Sequence, residues 1–140
     1  MIEYIIAFIV LWIISFCMHE FGHVLGALLS GGNAKIKIWK YKKLPSMMTV
    51  PYGTINRTRF LFMGGFSAFI LYGILFLLSE SSALRYSFFT IGSIQLVYAF
   101  YETLLKDKLT LDDYMKYHYV LYGIVWFITA SIYVLLVPEL

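Results

Sequence analysis

Four stretches of this chain, residues 5–29, 60–79, 86–105 and 117–137, run almost without charged side chains. Each is about the length, ~20 apolar residues, that crosses the hydrocarbon core of a bilayer. Together they take up well over half of the 140 residues, leaving too little polar sequence to cover them in water. Hydrophobic residues make up 61% of the chain and charged ones 14%, against the ~25% usual in a soluble domain. A backbone immersed in lipid must satisfy its own hydrogen bonds, so apolar segments of this length read as helices. The expected fold is an all-α membrane protein of about four transmembrane helices, forming a single domain over residues 1–140.

The formal charge of +3 is unevenly placed. No Lys or Arg precedes the first span. Seven follow it (Lys35, Lys37, Lys40, Lys42, Lys43, Arg57, Arg59), Arg85 stands alone after the second, and Lys106, Lys108 and Lys116 follow the third. None follows the fourth. Cations crowded beside apolar spans meet lipid headgroups, which argues against a nucleic-acid partner. The alternation also sets an expected orientation, with both termini outside and the loops after the first and third spans in the cytoplasm. A multi-pass protein of the cell membrane follows. Glu3 stands where a secretory leader would carry basic residues, so the first apolar run reads as a retained span. The single cysteine, Cys17, excludes an intramolecular disulfide and reads as a small core residue.

Chemistry is concentrated in the first span. His19-Glu20-Phe21-Gly22-His23 matches H-E-x-x-H, and on a helix the two imidazoles four residues apart share one face. They can converge on one zinc ion, with Glu20 beside them as the base that takes a proton from an activated water. Two imidazoles and a carboxylate in an apolar segment are costly unless they pair or bind an ion. Gly22 and Gly26 form a strip of small residues that admits a neighbouring helix, read both as ordinary close packing and as the seat of the helix bringing the remaining ligand. Gly31-Gly32 ends the helix.

Between the first two spans, residues 34–59 form an interfacial loop. Period-two alternation over 34–41, with a second extended stretch over 47–50, reads as strand, and residues 42–46 would turn the chain into a hairpin. Trp39, Tyr41, Met47 and Met48 suit a surface partly sunk in lipid, so the loop is expected to be a short membrane-associated β-hairpin. Gly64-Gly65 in the second span reads as a close-packing patch against the motif helix.

A membrane-embedded His-Glu-Phe-Gly-His followed by Gly26-Ala27-Leu28 resembles the site-2 protease family of intramembrane zinc metalloproteases. The resemblance implies cleavage of membrane-protein or transmembrane-peptide substrates, and a β-hairpin that holds substrate as an added strand. It also implies a third zinc ligand from a Leu-Asp-Gly signature late in the chain. Here Thr110-Leu111-Asp112-Asp113 offers Leu111-Asp112, with Asp113 in place of Gly and no preceding Asn or Pro.

A catalytic zinc keeps three protein ligands and an open position. Glu80, Glu102, Asp107, Asp112, Asp113 and His118 are the available donors. By the charge count Glu80 lies on the outer side, away from His23, and drops out. The resemblance gives the ligand role to Asp112. The alternative is Glu102, an intramembrane carboxylate on a helix face shared with Gln95 and Tyr98. The same segment also reads as a capping box, Thr110 with Asp113, opening the last helix.

The expected function is therefore an intramembrane zinc metalloprotease with catalytic Glu20 and metal ligands His19, His23 and Asp112 or Glu102. Two other functions are consistent with the sequence. One is a catalytically inactive relative serving as a binding or regulatory subunit. The other is a membrane metalloprotease for soluble substrates, using Glu102.

Overall fold

The computed structural model describes residues 2–41 and 44–136. In chain order it contains α1 (Ile2–Leu28), β1 (Asn33–Tyr41), β2 (Leu44–Tyr52), α2 (Arg57–Leu78), α3 (Ser82–Leu105) and α4 (Leu111–Leu136). All four helices are long and apolar enough to cross a membrane. The shortest, α2, has 22 residues, and at ~1.5 Å per residue it reaches the ~30 Å of a hydrocarbon core.

α2, α3 and α4 begin earlier than the apolar runs because polar caps outside those runs start them. Asn56 accepts from the Arg59 N–H at 3.0 Å, and Ser81 accepts from that of Leu84. Thr110 accepts from the Asp113 N–H at 3.2 Å while its hydroxyl donates to the Asp113 carboxylate at 2.7 Å. The capping pair expected at Thr110 and Asp113 thus starts α4 at Leu111 rather than at 117. At the far end of α1, Gly31 takes the left-handed φ of 83°. The Gly31 N–H donates to Leu28 and that of Gly32 to Ala27, the paired closure that ends a helix at a glycine.

α3 is the central helix. More than half of its apolar window is buried, against 11% for α1 and 17% for α4, whose outer faces are exposed and apolar. Ile6 and Ile13 on α1 and Ile124 and Ile128 on α4 are exposed there. Cys17 belongs to this outer surface as well, so the reading of it as a core residue is corrected. α2 packs against both α1 and α3, which also touch each other, and among the described residues the backbone of α4 approaches only α3.

The Gly22/Gly26 strip seats α2. A Cβ on Gly22 would lie 2.4 Å from the Met63 carbonyl oxygen, and one on Gly26 would lie 3.0 Å from that of Arg59. The packing reading of this strip holds, and the helix it seats, α2, contributes none of the three side chains that converge as possible metal ligands. Gly65 on the opposite side of α2 admits α3, where a Cβ would meet the Gln95 carbonyl oxygen at 2.2 Å. Two close approaches on one short helix bring α1 and α3 near enough to share side-chain contacts.

β1 and β2 form an antiparallel pair whose register runs from Asn33↔Tyr52 to Tyr41↔Leu44. Leu44, Pro45 and Ser46, expected in the turn, are paired strand residues; Lys42 and Lys43 lie outside the described residues. Proline is tolerated because each strand of a two-stranded ribbon has an open edge, and Pro45 and Pro51, six residues apart, blunt the same one. One face of the ribbon carries Ala34 and Thr49 toward the bundle, with Ala34 against the cluster of Ala27, Phe60 and Leu61. The other presents Lys35 and Lys37 outward.

Candidate metal centre

Because α1 and α3 run in the same direction, their C-terminal ends meet at the hairpin pole of the bundle. His19 and His23 stand one turn apart near the end of α1, and Glu102 lies in the last turn of α3. All three are buried, with relative exposures of 6%, 2% and 2%. The Nε2 atoms of the two imidazoles are 3.1 Å apart. Glu102 Oε2 lies 3.1 Å from His19 Nε2 and 3.0 Å from His23 Nε2. Among the described residues this is the one group of three or more such side chains close enough to hold a metal ion.

The outer nitrogens explain why the inner ones converge. His19 Nδ1 donates to Gln95 Oε1 at 2.9 Å, and His23 Nδ1 donates to the Phe60 carbonyl at 2.8 Å. When a ring is neutral, these acceptors draw its proton to Nδ1 and leave the Nε2 lone pair facing the other imidazole and the carboxylate. This is the tautomer that zinc requires, fixed by the partner of the second nitrogen. The spacing also fits. Bonds of ~2.05 Å at tetrahedral angles set neighbouring ligand atoms ~3.3 Å apart, close to the observed triangle. Phe60 stacks on the His23 ring at 4.8 Å between centroids, and Tyr98 lies against His19 at 4.9 Å. Both rings are held on their faces as well as at their edges.

The second carboxylate oxygen is used too. Glu102 Oε1 accepts from Lys106 Nζ at 2.6 Å and from the Tyr114 hydroxyl at 3.0 Å. Tyr114 in turn shares a hydrogen bond with the Tyr98 hydroxyl and accepts one from Tyr101 at its carbonyl. One face of Glu102 is therefore neutralised and fixed, while the other is presented to the imidazoles. A buried carboxylate needs such partners. Gly64 makes room for the site from α2: a Cβ there would meet His23 Cε1 at 2.4 Å.

Glu20 follows His19 on α1 and is half-buried. It points toward the hairpin, where Oε2 accepts from the Thr49 hydroxyl at 2.7 Å.

Of the two sequence-derived third ligands, the structure brings Glu102 to the imidazoles and sets Asp112 apart from them. Thr110 caps α4 and so places Asp112 in its exposed first turn, outside the cluster. Asp113 is engaged in that cap. His118 is buried on α4 against Tyr98 and Tyr122 at 4.6 and 4.5 Å between centroids, again outside the cluster. Asp107 is bound by Arg57, whose Nε donates to Oδ2 at 2.7 Å and whose Nη2 donates to Oδ1. Those hydrogen bonds hold the Asp107 carboxyl below its ordinary range.

No family model, curated protein or solved structure matches the chain.

Sequence reasoning did not single out Thr49, Phe60, Lys106 or Tyr114. Lys106 carries a signal in its position four residues after Glu102. The other three come from separate elements, and no spacing announces them.

Proposed function

We propose that this chain is an intramembrane zinc metalloprotease that hydrolyses a peptide bond in or near a transmembrane segment of another membrane protein. The convergence of His19 Nε2, His23 Nε2 and Glu102 Oε2 in one buried triangle, with both Nδ1 protons committed elsewhere, carries the reading. These three residues would hold the ion. Bound zinc would supply a Lewis acid for the scissile carbonyl and for the water that attacks it.

The chain's own residues do the rest. Glu20 accepts the proton of the attacking water as oxygen bonds to the carbonyl carbon. When the C–N bond breaks, Glu20 returns that proton to the departing amine, leaving a carboxylic acid and an amine. Gln95 and the Phe60 carbonyl keep the imidazoles oriented, and Lys106 offsets the charge of Glu102. The substrate class rests on two supports. The triangle lies near the ends of helices apolar enough to span a membrane, and the motif resembles that of the site-2 protease family. A helical substrate must unwind locally to offer its carbonyl. The distribution of Lys and Arg supports a site facing the cytoplasmic side of the cell membrane, with both termini outside.

Glu20→Gln tests the reaction. The variant is expected to keep one zinc per chain in detergent and to lose cleavage of a transmembrane reporter. Cleavage at the wild-type rate would remove Glu20 from the mechanism. Zinc bound by the wild type without any cleavage would favour the inactive binding or regulatory subunit.

A further inference from the structure

Glu20 is held from outside the helical bundle. Thr49 lies within β2, opposite Ile36 of β1, and is buried. Its hydroxyl is 3.0 Å from the main-chain oxygen of Glu20 and 2.7 Å from Glu20 Oε2. Both oxygens are acceptors, so the hydroxyl donates and its hydrogen is shared between them. The contact to the main chain fixes Thr49 against α1 whatever the glutamate side chain does. The contact to the carboxylate then selects one arrangement of a side chain with three rotatable bonds, which otherwise keeps much of its rotational freedom.

The ribbon that carries Thr49 is itself anchored. Ala34 packs on Ala27, Phe60 and Leu61, and Gly32 comes so close to the strand's end that a Cβ there would lie 2.8 Å from the Thr54 carbonyl oxygen. The hydroxyl is therefore presented from a seated element. Packing alone does not require it, since a valine would fill the same volume.

We propose that Thr49 is the positioning residue for Glu20: through its hydroxyl, the β-hairpin sets the carboxylate that transfers the proton. The inference rests on the reading of Glu20 as the base. It assigns the hairpin a part in the chemical step that is separate from any contact with substrate.

Thr49→Val keeps the shape and removes the donor. The expected result, in full-length protein in detergent, is one zinc per chain, an unchanged KM for a transmembrane reporter and a kcat roughly ten- to a hundredfold lower, the scale of a misplaced catalytic group. Thr49→Ser should recover most of the kcat lost by Thr49→Ala, because those two variants lack the same methyl group and differ only in the hydroxyl. If Thr49→Val fails to fold, the Ser and Ala pair decides the matter by the same comparison. A readout independent of turnover is the infrared carboxylate band that disappears in Glu20→Gln, which should shift in Thr49→Val and stay near its wild-type position in Thr49→Ser. An unmoved band, or equal kcat in Thr49→Ser and Thr49→Ala, overturns the proposal. Full cleavage by Glu20→Gln would instead remove the base that Thr49 is said to position, a separate failure that the infrared band does not share.

Discussion

Gly64→Ala adds one methyl group, and it adds it directly against a proposed zinc ligand. The new Cβ would lie 2.4 Å from His23 Cε1 and 2.6 Å from His23 Nε2. Ordinary carbon contacts begin near 3.4 Å, so the ring or α2 must give way by ~1 Å. The ring has little freedom to do so, since its Nδ1 donates to Phe60, on the same helix as Gly64, and its face stacks on the Phe60 side chain. Displacement therefore moves Nε2 out of the triangle or breaks the bond that orients it. Loss of an orienting partner typically costs ~10–100-fold in metal affinity, or ~1.4–2.7 kcal/mol. Overpacking adds about 1–3 kcal/mol against the folded state. The assay is competitive zinc titration against a chromophoric chelator, run beside thermal unfolding in the same detergent. Gly73→Ala is the control: it makes the same change in the same helix, but among the described residues nothing beyond the helix's own nearby backbone comes within 4 Å of the added carbon. Its zinc affinity should match the wild type. Wild-type affinity in Gly64→Ala as well would refute the argument that His23 is held in a ligating pose.

Other consequences follow from the same contacts. Gln95→Leu removes the acceptor of His19 Nδ1 and should weaken zinc binding by ~10–100-fold in the same titration while leaving the protein folded. Asp107→Asn breaks the ion pair with Arg57, both of whose members are more than half exposed, so thermal unfolding at neutral pH should fall by no more than ~0.5 kcal/mol. Because the Asp107 carboxyl sits below its ordinary range, its small contribution is present above the unfolded carboxylate pKa of ~3.9. It is lost as pH falls through the lower folded value, and the difference between wild type and variant should vanish in strong acid.

The sequence announced what depends on local pattern. Apolar length gave four helices, period-two alternation gave the ribbon, and Gly31 and Thr110 marked a helix end and a helix start. H-E-x-x-H placed two imidazoles on one face because that follows from helical geometry alone. The third acid was harder to read, since it depends on how helices far apart in sequence lie against each other. The charge pattern put Asp112 and Glu102 at the same end of the molecule, and depth alone did not separate them. What separates them is rotation: Glu102 shares the buried face of α3 with Gln95 and Tyr98, whereas the Thr110 cap sets Asp112 in an exposed first turn. The offsets of seven and four from Gln95 and Tyr98 to Glu102 held that information. Thr49 left no such trace, because its contact with Glu20 is made by folding the ribbon back onto α1.

Metal analysis of the purified wild type beside Glu102→Gln and Asp112→Asn tests most directly whether His19, His23 and Glu102 form a zinc site. One zinc per chain is expected in the wild type and in Asp112→Asn, with loss in Glu102→Gln, and zinc-edge X-ray absorption should show two imidazole nitrogens and carboxylate oxygen. Full zinc in Glu102→Gln, or loss in Asp112→Asn, would contradict the assignment.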